Sequence, residues 1–192
     1  MNLKLKLTIA AIMITLIVVG CGGDDDTTKP TTNNEPFTFI KAGNEWEYEV
    51  YDRTNNELVG AYSWEIEHYA MDEYYTVFLS VYELGYENGI GYTLADKDLW
   101  VIGGYVPNYC VVFLDKDCYV GKEWELDFCK GIAQIVSLSE TVMVPAGTFI
   151  NCIKIRVEYP DGREDFYWVH KHFGNIMAEE NNKIFKLKSK NF

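Results

Sequence analysis

From Phe37 onward, aromatic and β-branched residues recur in short runs separated by Gly, Asn and Asp, and no window carries a sustained 3.6-residue apolar stripe. The chain therefore predicts sheet, with helix a minor component. Trp46-Glu47-Tyr48-Glu49-Val50-Tyr51 alternates large apolar groups with acids, which puts Trp46, Tyr48 and Val50 on an inward face. Asn55-Asn56 offers a turn into Leu58 to Met71, where Trp64, Ile66 and His68 form the next two-residue series. Thr76 to Leu84 predicts another strand, and Asn88-Gly89 a hairpin turn into Ile90 to Leu94. Gly103-Gly104 and Pro107 are expected to break any long strand that starts at Leu99, and Tyr109 to Leu114 resumes the pattern.

Ile132 to Val144 predicts a long strand, Pro145-Ala146-Gly147 a corner, and Phe149 to Tyr159 the return. Asp161-Gly162 turns the chain toward Phe166 to His170, and Asn181-Asn182 splits a last pair formed by Ile176 to Ala178 and Ile184 to Leu187. Together these runs predict an all-β domain over residues 37–192, roughly ten antiparallel strands in a curved sheet, half-barrel or β-sandwich. Alternation alone does not choose among those closures. The lack of helical windows between strands argues against a βαβ enzyme, and Gly103-Gly104 lacks the spacing of a phosphate-binding loop.

The first thirty-six residues follow a different pattern. Lys4 and Lys6 precede an uncharged apolar run, Leu7 to Val19, relieved only by Thr8 and Thr15. As a helix that run spans about 20 Å, short of the roughly 30 Å hydrocarbon core, so residues 1–20 predict an export signal rather than a permanent span. Residues 21–36 hold Gly22-Gly23-Asp24-Asp25-Asp26, a Thr- and Asn-rich stretch and Pro30 and Pro36, with nothing to bury. They predict a disordered tether.

Val18-Val19-Gly20-Cys21 resembles the lipobox of bacterial lipoproteins, in which cleavage before the cysteine leaves its thiol diacylated, with palmitate among the usual chains, and its amine acylated. The resemblance makes Cys21 the lipidation site and the lipid bilayer the first partner, since two or three buried acyl chains anchor a protein stably. Gly22 follows Cys21 where an Asp would retain an enteric lipoprotein at the inner membrane, which favours the cell outer membrane by the same resemblance. Asp24 to Asp26 resemble an acidic tract that directs some lipoproteins to the cell surface, but a solvated linker explains them equally, so the periplasmic or surface-facing side stays open. A second resemblance is carried by Val144-Pro145-Ala146-Gly147-Thr148-Phe149 with Asn151-Cys152-Ile153, flanked by Gly121 to Trp124 and by Tyr167-Trp168 with Phe173-Gly174-Asn175-Ile176. It is similar to a segment of uncharacterised envelope lipoproteins with open antiparallel β-barrel or β-sandwich domains, and it implies a fold and an address but no catalytic residues.

Charge narrows the partners. The 192 residues hold 17 Lys+Arg against 29 Asp+Glu, a formal charge of -12, and loss of residues 1–20 would remove Lys4, Lys6 and no acid, giving -14. A non-specific nucleic-acid binder needs basic surface, so nucleic acid is not an expected partner.

Excluding Cys21, four cysteines remain, Cys110, Cys118, Cys129 and Cys152, and an even set in an exported chain predicts disulfides. Of three complete pairings, Cys110–Cys118 and Cys129–Cys152 is the expected one, the latter tying the strands around the Pro145 corner. No Cys-x₂-Cys knuckle supports zinc or redox chemistry. His170-Lys171-His172 places two imidazoles on one face but supplies no third ligand, so neither a metal nor a cofactor is expected. Glu47 with Glu49, and Glu65 with Glu67, are pairs that alternation alone produces on a solvated face, and Ser137 and Ser139 have no nucleophile-elbow context.

No catalytic residues are therefore expected, and a non-catalytic binding or structural module of the envelope leads. Its contacts would be an envelope protein, glycan or lipid. A carrier of a small apolar ligand in a β cavity and an envelope hydrolase with an acidic cleft are the alternatives. Fourteen Tyr, ten Phe and five Trp supply amphipathic contact groups, and Tyr69, Tyr74, Tyr75, Tyr82, Tyr86, Tyr92, Tyr105 and Tyr109 are the candidate ligand contacts. Lys183, Lys186, Lys188 and Lys190 oppose the acidic balance and are expected near a frayed end.

Overall fold

The alternation around Trp46 does set a strand: β2 spans Glu45–Asp52, and Trp46, Tyr48 and Val50 are buried while Glu47 is exposed. The computed structural model describes residues 32–33, 35–68, 75–83, 86–95, 99–105, 110–126 and 129–192, and the side chains of 35–66, 114–126 and 129–192. Among the described residues there is no helix. The other strands are β1 (Thr32–Asn33), β3 (Leu58–His68), β4 (Tyr75–Glu83), β5 (Tyr86–Ala95), β6 (Leu99–Tyr105), β7 (Cys110–Asp115), β8 (Cys118–Tyr119) and β9 (Glu123–Glu125). They are followed by β10 (Ile132–Val144), β11 (Gly147–Glu158), β12 (Glu164–His170), β13 (Gly174–Glu180) and β14 (Lys183–Lys190).

Ten of these form one antiparallel sheet in the order β5-β4-β3-β2-β14-β13-β12-β11-β10-β9, an open curved sheet with the first long strand joined to the last. The β2–β14 seam places the lysines of β14 in the middle of the sheet, not at a frayed end. Lys186 lies over the Tyr51 ring at 4.4 Å and Lys188 faces Glu47 at 3.9 Å. Sheet curvature shows at the Pro145 corner, where the Ala146 N–H donates to the Leu187 carbonyl at 3.0 Å, beside a bulge between Leu187 and Ser189. The β6–β7 hairpin pairs only with itself and approaches β12 and β13.

The core lies on the concave face, where Ile153, Ile155 and Val157 of β11 meet Val169, Tyr167 and Asp165 of β12 in register. Trp46 anchors one end. Its ring packs edge-on against Phe39 and Phe192, and its Nε1 donates to the Phe173 carbonyl at 2.7 Å. Gly174 opens β13 with φ 77 and would bring a Cβ to 3.1 Å from that indole, so both conformation and space call for glycine there.

Several expectations are corrected. Asn88-Gly89 is not a turn: Asn88 and Gly89 pair with Val81 and Ser80 inside β5, and the chain reverses between Glu83 and Tyr86, which face one another across the ladder. Gly103-Gly104 does not end its strand, because β6 runs through both glycines with an irregularity between Val101 and Gly103. Within the stretch expected as tether, Thr32–Asn33 pair with Tyr119 and Cys118. The expected disulfides Cys110–Cys118 and Cys129–Cys152 do not form: Cys118 and Cys152 are free buried thiols, and no bridge joins two cysteines whose side chains are described. Cys129 is tied in a disulfide whose other half lies outside the described side chains, so it is not available to Cys152. Bridging depends on Cα separation and Cβ direction, which an even count of cysteines does not report.

Candidate functional site

A concave opening lined by described side chains is an aromatic groove. Strand alternation places Tyr48 on β2 and Tyr62 and Trp64 on β3 on the same face, and the β2–β14 seam brings Phe185 beside them. The ring centroids of Tyr48, Tyr62 and Trp64 stand 6.1 to 6.2 Å apart, and Phe185 lies 5.5 Å from Tyr62. Asn175 and Glu180 of β13 add polar groups to the lining. The Tyr48 hydroxyl donates to the Asn175 carbonyl at 2.8 Å. Enclosed volume is about 20 Å³, room for about one water.

Beside the groove, two acids meet tyrosines. Tyr167 donates to Glu180 Oε2 at 2.7 Å. Asp165, 2% exposed, has Arg163 at 4.0 Å, and burial pushes its carboxyl up while a hydrogen bond to Tyr159 and the Arg163 charge hold it down. Burial, reinforced by the Glu180 charge, raises the hydroxyls of Tyr62 and Tyr167, and burial, reinforced by Asp165, raises that of Tyr159. These phenols therefore stay protonated, and Tyr167 and Tyr159 donate to Glu180 and Asp165. Hydrogen bonds from Tyr167 and Tyr159 thus stabilise negative charge on Glu180 and Asp165.

The histidine pair is also engaged locally. His172 Nδ1 sits 2.9 Å from Thr38 Oγ1, and the His172 backbone N–H donates to His170 Nδ1 at 3.1 Å. The His170 ring stacks on Phe173 at 4.7 Å, and burial, then the His172 charge, lowers its basicity. Among the described residues no three His, Cys, Asp or Glu side chains converge to hold a metal ion.

Between the histidines, Lys171 points inward, in phase with Tyr167 and Val169. It is 4% exposed, donates to the carbonyls of Glu35 at 2.8 Å and Lys116 at 2.7 Å, and lies 4.6 Å from the Phe37 ring centre. One ammonium thus joins the incoming chain, the β7–β8 turn and the end of β12. The alternation along β12 is the signal for it in the sequence, although lysine is rarely an inward residue.

Of the candidate tyrosines, Tyr69, Tyr74 and Tyr109 lie outside the described residues, and Tyr75, Tyr82, Tyr86, Tyr92 and Tyr105 sit on β4, β5 and β6 with side chains that are not described. Cys21 is likewise outside the described residues. The groove is built instead from Tyr48, Trp64 and Tyr62, the first two in series expected to pack inward.

Burial gives the free thiols a pH signature. It pushes Cys152 up to about 12, with the Glu140 charge adding to the effect, and raises Cys118 as well. A folded value above the unfolded one, about 8.5, means stability is fully present below pH 8.5 and is lost as pH rises toward the folded value. Urea midpoints are expected to fall between pH 8 and pH 10.5, and Cys152→Ala to shrink that fall. An equal fall in the variant would remove Cys152 as its cause.

Comparison of the chain with protein-family models, curated proteins and solved structures finds no match.

Proposed function

We propose that this chain is a lipoprotein of the cell envelope, fastened through acylated Cys21, most simply at an outer membrane, with its sheet as a non-catalytic binding or structural module. The observation that supports the second half is how little space the aromatic groove leaves among the described side chains. Tyr48, Tyr62, Trp64 and Phe185 leave space for about one water, whereas a carrier of a small lipid needs a cavity of several hundred Å³. The groove would act as a contact surface, its rings taking the flat face of a partner and its Asn175 and Glu180 edge fixing orientation.

The anchor is tested by growing cells on labelled palmitate and taking the intact mass of the purified protein. Label on the wild type, none on Cys21→Ala, and release of the variant into the soluble fraction are expected. A native product that begins at Met1 and carries no lipid would overturn the proposal. The module is tested by Tyr62→Ala, which removes a partly buried ring at a cost of about 1–3 kcal/mol and should weaken capture of the partner, read against Tyr62→Phe, which keeps the ring and should leave stability near wild type. Undiminished capture would move the contact elsewhere.

A further inference from the structure

We infer that the tip of the β10–β11 hairpin is a second membrane contact, a lipid-surface docking site separate from the acyl anchor. Thirteen consecutive residues, Thr141 to Ile153, carry no charge in a chain whose formal charge is -12. Ladder pairing puts Val142 opposite Phe149 on the side that packs inward, and Met143 opposite Thr148 on the outer side, which Ile150 shares. Met143 is 79% exposed and Ile150 60% exposed, while Pro145 and Ala146 are exposed at the turn between them. Asn151, with φ 58, marks where the strand departs from regular alternation just beyond the tip.

The occupant follows from where the tip stands and what surrounds it. Antiparallel order puts the Pro145 corner at the end of the sheet where β2 and β13 begin and β12 and β14 finish. Residues 35–44 enter at this end, through Thr38 at His172 and Lys171 at the Glu35 carbonyl. The opposite end carries the turns at 53–57, 160–163 and 181–182, with Asp52, Arg53, Glu57, Asp161 and Arg163. Behind the tip, Phe149 packs on Phe173 at 5.6 Å, and Lys190 lies over Phe173 and Phe192 at 4.6 and 4.8 Å, a cation set among rings as at a lipid headgroup boundary. Between Cys21 and Thr32 lie eleven bonds of chain, an average reach of about 20 Å, so an anchored domain holds this end near the bilayer. An acidic body is repelled by anionic lipid, and the uncharged tip is where approach carries no such penalty. This inference rests on the anchored reading for its proximity, and on exposure and charge for its chemistry.

The test places an environment-sensitive fluorophore at Ile150→Cys in the full chain, with the parent protein carried through the same labelling as a blank for Cys21 and Cys110, since Cys118 and Cys152 are fully buried and Cys129 is not a free thiol. Asn55→Cys, at the opposite end of the sheet, is the reference site. Both proteins are reconstituted in vesicles of phosphatidylethanolamine and phosphatidylglycerol, and quenching is read with spin-labelled lipid. A blue shift with quenching at position 150, neither at position 55, and reversal by Met143→Asp or Met143→Ser support the contact. Equal, water-like emission at both sites overturns it. So does a blue shift at position 150 that appears without vesicles and grows with protein concentration, which would mean a second copy covers the tip. Acylation is read separately by mass on the same samples: an unacylated wild type with a quenched tip sinks the anchor alone, and an acylated protein with a water-exposed tip sinks this inference alone.

Discussion

Trp46→Ala is expected to leave the domain largely unfolded at growth temperature. The side chain is wholly buried, and its removal leaves a cavity between Phe39 and Phe192 that costs about 3–5 kcal/mol. The Phe173 carbonyl also loses its donor, a further penalty of about 1–3 kcal/mol if water does not replace the indole. Total stabilities of single domains run to about 5–15 kcal/mol, so the loss is a large share of the whole. Circular dichroism in urea measures it, with Trp46→Phe as the graded comparison that keeps most of the volume and drops the hydrogen bond. Gly174→Ala should fall in the same direction, because the new Cβ meets the same indole at 3.1 Å with a strained φ. If Trp46→Ala shifts the midpoint no more than a change at exposed Val120, the packing at this end of the sheet is not as described.

Lys171→Met is the second large effect, at about 2 kcal/mol of stability with a local signature. Methionine keeps the apolar stem and relieves the burial of charge, but the carbonyls of Glu35 and Lys116 each lose a charged donor, a bond worth about 1.5–3 kcal/mol. The net sign is unfavourable because one substitution takes a charged donor from two acceptors at once. Residues 35–41 should then become the first site of limited proteolysis, ahead of any change in the β10–β12 core. Burial also holds the Lys171 ammonium below its ordinary range, although Cys118 and Asp115 partly oppose that. With the folded value below the unfolded one, the unfolded chain binds the proton more tightly, so this residue's contribution rises with pH in that window, opposite to Cys118 and Cys152. A methionine variant as stable as wild type and equally resistant near residue 35 would remove the clamp, as happens where buried ions are replaced by well-packed apolar groups.

The strands of the C-terminal half were legible because their turns are chemically marked. Gly162 and the Asn181-Asn182 pair adopt the positive φ that tight turns require, and the runs between them alternate. Asn88-Gly89 carries the same mark and sits inside β5, where pairing with β4 overrides the local preference. The cysteines misled for a related reason. Four cysteines satisfy a counting rule, yet Cys118 turns toward the Asp115 carbonyl at 3.3 Å and Cys152 lies within β11 opposite Glu140, where the register shifts. Tyr48 and Trp64 read as core in the sequence, because core and groove differ only in what lies opposite.

Alternation and turn chemistry are local properties, and from them the sequence alone determined an all-β body of roughly ten antiparallel strands. Side-chain direction in a strand has a period of two residues, so each strand carries its own inward face without reference to any other. Which strand lies beside which is a long-range choice. Only the tertiary structure decided that β2 joins β14, that the Pro145 corner reaches Leu187, that Lys171 closes three segments together, and that Cys118 and Cys152 stay unbridged. Each depends on the curvature of a ten-stranded sheet, which brings together residues more than forty, and in places more than a hundred, positions apart.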